Sequence, residues 1–200
     1  MGAGRGHRTV VLLTLGTGIG GGIILEGRLW RGATGAGAEL GHMVVEAGGE
    51  RCGCGAPGCL EAYASAPATA RRFARMVRAG KASLLAGAVL EGRQVTAGMI
   101  HEAACSGDAT AREALEETGR YLGAGVTTIV NVINPEIVLF SGGLAGAADL
   151  LLPVIRREVT ARAFEAATRD LVIAAGALPD DAGAIGAAGC ALERLDSNGF

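Results

Sequence analysis

Hydrophobic positions along the chain fall first into short runs with strand character and then into stretches with helical spacing. "TVVLLTLG" (9–16) is a continuous apolar run closed by glycine, the pattern of a buried strand. In "GGIILEGRLWRG" (21–32) two short stretches flank Glu26-Gly27, which predicts a hairpin. "HMVVE" (42–46) predicts another strand leading into a cysteine-rich loop. From Ser65 the spacing changes. "APATARRFARMVRAG" predicts a helix with Ser65 as N-cap, Pro67 in its first turn and Gly80 as its stop. Helices are also predicted over 96–107 and 108–134, the second ended by Pro135. "EIVLFSGG" (136–143) reads as a buried strand with a glycine turn at its end. A helix over 149–164, a strand over 171–176 and a closing helix over 181–195 complete the pattern. Hairpin-connected strands followed by alternating helices and strands predict an α/β sandwich in one lobe, with no interior linker, charge block or repeat.

Composition narrows the classes. Half of the 200 residues are hydrophobic, which implies a buried core. A net charge of −2 argues against duplex DNA or an anionic membrane as a broad partner. No apolar run approaches the roughly 18 residues of a membrane span. "MGAGRGHRTVVLL" carries basic residues before an apolar stretch, but no small-residue cleavage site follows, so no signal peptide is expected. Five cysteines, an odd number, then point to a reducing, cytoplasmic setting rather than a disulfide framework. Glycine is abundant (34 residues) and clusters at 16–22, 32–41, 48–58 and 142–146, where backbone is expected to approach something closely.

The sharpest chemical signal is the spacing C-x-C-x4-C of Cys52, Cys54 and Cys59, with His42 ten residues upstream. Glycines between the thiols let the backbone fold sharply enough for them to converge. Three sulfurs and one imidazole make a closed tetrahedral shell that suits a structural zinc ion without an open position for water. The competing account, buried cysteines as packing, fits poorly with Gly53, Gly55, Gly58 and Arg51 around them. Glu39 and Glu61 are tethered to this loop by short segments. They are either carboxylates placed to accept hydrogen bonds from sugar hydroxyls or ordinary surface acids. If one nitrogen of His42 holds the metal, the other is left to donate outward. "LGTGIGGG" (15–22) can cradle phosphate with its amides and the Thr17 hydroxyl. It is neither a Walker A loop nor a dinucleotide fingerprint, and alone it is no more than a glycine-rich turn. Cys105 and Cys190 read as small apolar fillers, His7 and His101 have no evident partner, Trp30 reads as packing, and Arg71, Arg72, Arg75 and Arg78 as a solvated helix face.

Taken together, "LTLGTGIGGGII", "GAELGHMVVE", "CGCGAPGCLEAYAS" and "NPEIVLFSGGL" resemble the ROK family of sugar kinases and repressors, most of all its bacterial glucokinases. The resemblance implies an actin-like, ribonuclease H-like ATPase fold, with ATP and sugar in a cleft between two lobes. It implies zinc on His42, Cys52, Cys54 and Cys59. Glu39, His42 and Glu61 would bind sugar hydroxyls, Gly16, Thr17 and Gly18 the ATP phosphates, and Gly142 and Gly143 the adenosine end. The expected reaction is ATP- and Mg2+-dependent phosphorylation of a hexose, glucose by overall likeness; a sugar-responsive transcriptional regulator is the alternative.

The family's earlier lobe carries a D-x-G-G-T phosphate loop and an N-D-A-N segment whose aspartate is the general base. Neither motif occurs in residues 1–200, which therefore resemble the C-terminal lobe only. Negligible kinase activity is expected of these residues alone, because phosphoryl transfer needs positioning from both sides and a base within reach of its proton. Apolar surface that the other lobe would cover is expected to drive homo-oligomers. No helix-turn-helix or basic recognition helix is present, and no nucleic-acid partner is expected.

Overall fold

In a computed structural model, which describes residues 2–177, 183 and 185–189, a five-stranded mixed sheet backs a helical layer. Strands β1 (Val10–Leu15), β2 (Ile19–Leu25) and β3 (Arg28–Leu29) form an antiparallel meander. Glu26 and Gly27 turn the β2–β3 hairpin with φ of 52° and 81°, the positive pair that such a two-residue connection demands. Strands β4 (Ile137–Ser141) and β5 (Val172–Ala175) add on the other side in parallel, giving the order β3-β2-β1-β4-β5.

The burial of these strands follows from their place. Strand β4 lies inside the sheet between β1 and β5 and is buried along its whole length, as its unbroken apolar run requires. Strand β1 alternates, with Val11, Leu13 and Leu15 buried in the main core. Its other face, with Val10, Leu12, Ile24 and Leu139, lines an open cleft with the N-terminal turn at Gly2–Gly4.

The core lies between the sheet and helices α1 (Leu60–Ala64), α2 (Ala66–Arg78), α3 (Ala86–Leu90), α4 (Ala97–Cys105), α5 (Ala109–Ile133), α6 (Ala148–Arg162) and α7 (Glu165–Thr168). The Ser65 side chain caps α2, accepting from the Ala68 N–H at 3.4 Å, and Asp108 caps α5, accepting from Ala111 at 2.9 Å. Helix α5 ends at Asn134, left-handed with φ of 51°, one residue before Pro135. Helices α5 and α6 pack closely because Gly123 has no side chain: a Cβ there would lie 2.5 Å from the Cβ of Glu158.

Two expectations change. "HMVVE" is not a strand; its first residue closes a three-residue 3-10 turn at Leu40–His42, and only Val44 bridges, to Cys59. The loop folds around its own carbonyls instead of joining the sheet. Arg72 is not on a solvated face: it is 4% exposed, lying off the stripe of Arg71, Arg75 and Arg78. The closing helix over 181–195, with Cys190, falls largely outside the described residues. No helix is long and apolar enough to cross a membrane among the described residues.

Candidate functional site

The loop between β3 and α1 builds the candidate metal centre. Gly58 anchors it: its carbonyl accepts from the N–H of Val45 at 2.9 Å and its N–H donates to the Glu50 carbonyl at 2.8 Å. A tight turn follows, with the Gly55 N–H on the Cys52 carbonyl and the Cys52 N–H on the Ala56 carbonyl, both at 2.9 Å. This knuckle swings Cys54 back toward Cys59, the N-cap residue of α1.

His42, Cys52, Cys54 and Cys59 offer four ligand atoms that all lie within 4.8 Å of one another. Cys54 Sγ is 3.7 Å from Cys59 Sγ, and Cys52 Sγ is 3.6 Å from His42 Nδ1. Around a tetrahedral zinc ion two sulfurs stand about 3.8 Å apart, and a sulfur and an imidazole nitrogen about 3.6 Å. The residues present fit zinc. In the absence of an ion, burial pushes the Cys59 thiol up to about 12, helped by the neighbouring Cys54 and Cys52. Burial also raises Cys52, while the Ala56 backbone holds Cys54 below the ordinary thiol range. Burial of Cys52 and Cys59 without a cation opposes their ionisation; a bound dication would reverse that balance.

The loop is fastened from beneath by an aromatic pair. Tyr63 and Tyr121 stack with ring centroids 4.4 Å apart. The Tyr63 hydroxyl accepts from the Glu50 N–H, and the Tyr121 hydroxyl donates to Glu46 at 3.0 Å. Arg72 locks the pair: it donates to the Tyr63 carbonyl at 2.7 Å and to Thr118 Oγ1 at 2.8 Å, pairs with Glu117 at 3.0 Å, and lies 5.4 Å from the Tyr121 ring centre. Sequence spacing hid this role, because Arg72 differs from its exposed neighbours only in which side of α2 it occupies.

Glu61 sits in the first turn of α1, two residues past Cys59. One oxygen accepts from the Ile19 N–H at 2.8 Å, and the other lies 3.5 Å from Cys52 Sγ as acceptor of its thiol hydrogen. A Cys52 thiolate has no hydrogen to donate, so metal binding frees that second oxygen as an acceptor. Gly18 makes the arrangement possible: a Cβ there would land on Glu61 Oε2. Glu61, Thr17 and Cys52 line one open cleft of about 450 Å3, together with Ser65 and Arg71. Arg71, read from the sequence as solvated, thus also borders this cleft.

His42 presents Nδ1 to the sulfurs and Nε2 outward, 3.9 Å from Glu39, whose side chain is 67% exposed. The two glycine turns lie side by side, because β1 and β4 are parallel neighbours with Thr14 opposite Ser141. That is the carboxyl edge at which parallel sheets present ligand sites. Gly142, with φ of 90°, brings the end of β4 so close to β1 that a Cβ would lie 2.5 Å from the Leu15 carbonyl. Gly143 follows it and opens a 3-10 turn to Ala147. Gly16 is engaged within its own turn: its N–H donates to the Gly18 carbonyl at 2.9 Å and its carbonyl accepts from Ala66 at 3.0 Å. Of the first loop, Thr17 is the residue that lines the cleft.

A second cluster was not legible in the sequence. His101 Nε2 lies 2.8 Å from Asp149 Oδ1, and Cys105 Sγ lies 3.4 Å from the same nitrogen. Cys105 is exposed rather than an apolar filler.

Known proteins are similar to this chain in sequence and in shape. A glucokinase from Thermotoga maritima is 39% identical over 194 residues, which is 97% of this chain and 61% of that protein. A xylose repressor from Bacillus spizizenii is 30% identical across 97% of this chain and 47% of its own length. The crystal structure of a ROK family glucokinase from Streptomyces griseus, in complex with glucose and AMPPNP, superimposes with a TM-score of 0.82 at 34% identity, covering 94% of this chain and 62% of that one. The mixed α/β sheet with its helices is accordingly the actin-like ATPase fold of these sugar kinases. The chain spans roughly three fifths of the curated glucokinases it matches. Since the ROK family pattern matches residues 1–194, the chain belongs to the ROK family.

Proposed function

We propose that this chain is the zinc-stabilised C-terminal lobe of an ATP-dependent hexose kinase that converts glucose to glucose 6-phosphate. The observation that carries this reading is the position of Glu61, held by the Ile19 N–H and tethered two residues from Cys59 at the start of α1, in the cleft lined by Thr17. A carboxylate held this way accepts hydrogen bonds from sugar hydroxyls without first paying the entropy of being ordered. Glu39 and the outward nitrogen of His42 add an acceptor and a donor for further hydroxyls. The Thr17 hydroxyl and the Gly18 turn approach the phosphates of Mg-ATP, and the bare backbone at Gly142 and Gly143 receives its adenosine end. The zinc ion on His42, Cys52, Cys54 and Cys59 is structural: it holds the loop and the start of α1 in place, and no reacting atom passes through it. The fold and the glucokinase relatives support the same conclusion.

Transfer moves the γ-phosphoryl to the sugar 6-hydroxyl, whose proton must go to a base. The N-D-A-N aspartate that serves as base in the family is not among residues 1–200. These residues alone therefore bind sugar but turn over negligibly. A reducing cytoplasm keeps the three thiols available for metal.

Isothermal titration of the zinc-loaded chain with glucose tests the sugar site, with Glu61→Gln weakening binding at least about tenfold, the loss of one charge-assisted hydrogen bond. No glucose binding by the zinc-loaded chain would overturn the proposal. So would rapid glucose 6-phosphate formation by residues 1–200 in a coupled assay, for the division of labour between lobes.

The xylose repressor relative favours a second reading, a sugar-responsive regulator using the same hydroxyl-binding lobe. Sequence encoded immediately upstream separates the two: D-x-G-G-T and N-D-A-N specify the kinase, a helix-turn-helix the regulator.

A further inference from the structure

We infer that His101, Cys105 and Asp149 form a second zinc site, distinct from the cysteine loop and open to solvent. His101 and Cys105 are four residues apart on α4 and therefore share one helix face. Asp149 is contributed by the first turn of α6. The three side chains offer one nitrogen, one sulfur and one oxygen, all within 4.8 Å of one another.

Hydrogen bonding alone holds this cluster unevenly. The same His101 Nε2 faces both Asp149 Oδ1 at 2.8 Å and Cys105 Sγ at 3.4 Å, and Sγ lies 3.9 Å from Asp149 Oδ2. With the ring nitrogen donating to Asp149 Oδ1, the Cys105 thiol is left only its long 3.9 Å contact to Oδ2. A cation placed between the three satisfies all of them at once.

The spacing suits a tetrahedral ion. With ligand distances of about 2.0–2.3 Å, the sulfur–nitrogen and sulfur–oxygen edges come to about 3.6 Å and the nitrogen–oxygen edge to about 3.4 Å. The sulfur–nitrogen contact of 3.4 Å is within about 0.2 Å of its value, and a single carboxylate oxygen of Asp149 lies within 4.8 Å of both other ligand atoms. With Oδ1 as the ligand, its 2.8 Å contact to His101 Nε2 must open by about 0.6 Å, which the Asp149 side chain can accommodate by rotation, being 56% exposed. A mixed nitrogen, sulfur and oxygen set favours zinc over magnesium or calcium, which prefer oxygen alone. Three protein ligands leave a fourth position for water, unlike the closed shell of the cysteine loop.

The site ties the end of α4 to the start of α6. Between β4 and α6 runs only the turn that begins at Gly142 and Gly143, and α4 packs against that turn. Zinc here therefore stiffens the segment that follows the second glycine turn.

The test counts metal and needs no activity. Tag-free, reduced protein is equilibrated with zinc buffered at micromolar free concentration, and bound zinc per chain is measured by mass spectrometry. Two equivalents are expected for the unaltered chain, and one for Cys105→Ser and for His101→Gln, each with an unchanged circular dichroism spectrum. In protein whose cysteine loop already holds zinc, added Co2+ should give a sulfur-to-cobalt charge-transfer band and ligand-field bands of tetrahedral intensity, both absent in Cys105→Ser. A single equivalent in the unaltered chain would overturn the assignment. A second equivalent that survives both substitutions, or bound cobalt without a charge-transfer band, would overturn it equally. Because each comparison is a difference at a filled cysteine loop, the result stands apart from the sugar reading.

Discussion

Adding one methyl group at Gly18 should destabilise the lobe only while Glu61 is present. A Cβ on Gly18 would fall on Glu61 Oε2 and lie 3.2 Å from its Cδ. Gly18 is not among the glycines with positive φ, so alanine can adopt its backbone and the conflict is with Glu61 alone. Relief requires the carboxylate to leave the Ile19 N–H, which it now accepts from at 2.8 Å. A hydrogen bond to a charged group contributes about 1.5–3 kcal/mol, and the unfolded chain's lost freedom on Gly→Ala returns about 0.4–1 kcal/mol. Gly18→Ala should therefore cost about 1–2 kcal/mol in the unaltered chain, a fall in melting temperature of roughly 2–8 °C. In Glu61→Ala the obstacle is gone, and the same substitution should be neutral or stabilising by up to about 1 kcal/mol. The four proteins of this double-mutant cycle are compared by urea unfolding at saturating zinc, and the coupling expected is about 1.5–3 kcal/mol. Equal costs in both backgrounds, with a coupling below about 0.5 kcal/mol, would refute the claim that Gly18 exists to seat this carboxylate.

Stability should also track the metal: each tenfold rise in free zinc above the dissociation constant adds about 1.4 kcal/mol, read by calorimetry in zinc buffers, whereas a melting temperature indifferent to zinc contradicts the cysteine-loop site. Asp108 is raised by burial, but the Ser83 hydroxyl and the N–H groups of Ala111 and Leu84 outweigh that and hold its carboxyl below its ordinary 3.8. Its folded value being depressed, its contribution is present above 3.8 and is lost as pH falls through the folded value; Asp108→Asn should cost about 1–3 kcal/mol at neutral pH, and the gap measured by denaturation should close in acid. Gly123→Ala should cost about 1–3 kcal/mol by forcing α5 from α6, measured by thermal unfolding, and a neutral effect would mean that the helices can part cheaply. Sedimentation velocity should show association that grows with concentration, driven by exposed apolar side chains such as Val132 and Phe164 (75% and 74% exposed); a monomer at every concentration would contradict it.

Elements with strong local signals were legible in the sequence. Strand β1 and the Glu26-Gly27 hairpin stand where the apolar runs and turn residues put them, and α2 begins at its Ser65 cap and stops before Gly80. Helices α1, α3 and α7 were not, because four or five residues are too short for a helical period to register. "HMVVE" has strand composition, yet Gly58 and Cys59 return to it and hold it in a loop, a long-range choice that composition does not encode. The spacing of Cys52, Cys54 and Cys59 was informative for a different reason. Candidate ligands close together in sequence converge by turn geometry, whereas His101 and Asp149 are 48 residues apart and meet only because α4 packs on α5 and on the turn that leads into α6.

The same contrast explains why the Glu61 carboxylate is so firmly set. Glu61 lies two residues from a thiol of the cysteine knot but makes its decisive hydrogen bond to Ile19, 42 residues away at the start of β2. The knot fixes where α1 begins, and the sheet fixes where the carboxylate ends. Beneath both, buried Arg72 joins α2 and α5 to the Tyr63 carbonyl, so α1 is also restrained from its far end. Three independent anchors leave this short helix one position to occupy. A five-residue helix would not hold that position by its own hydrogen bonds, which makes the surrounding anchors, rather than helical propensity, the source of the order on which the proposed sugar recognition depends.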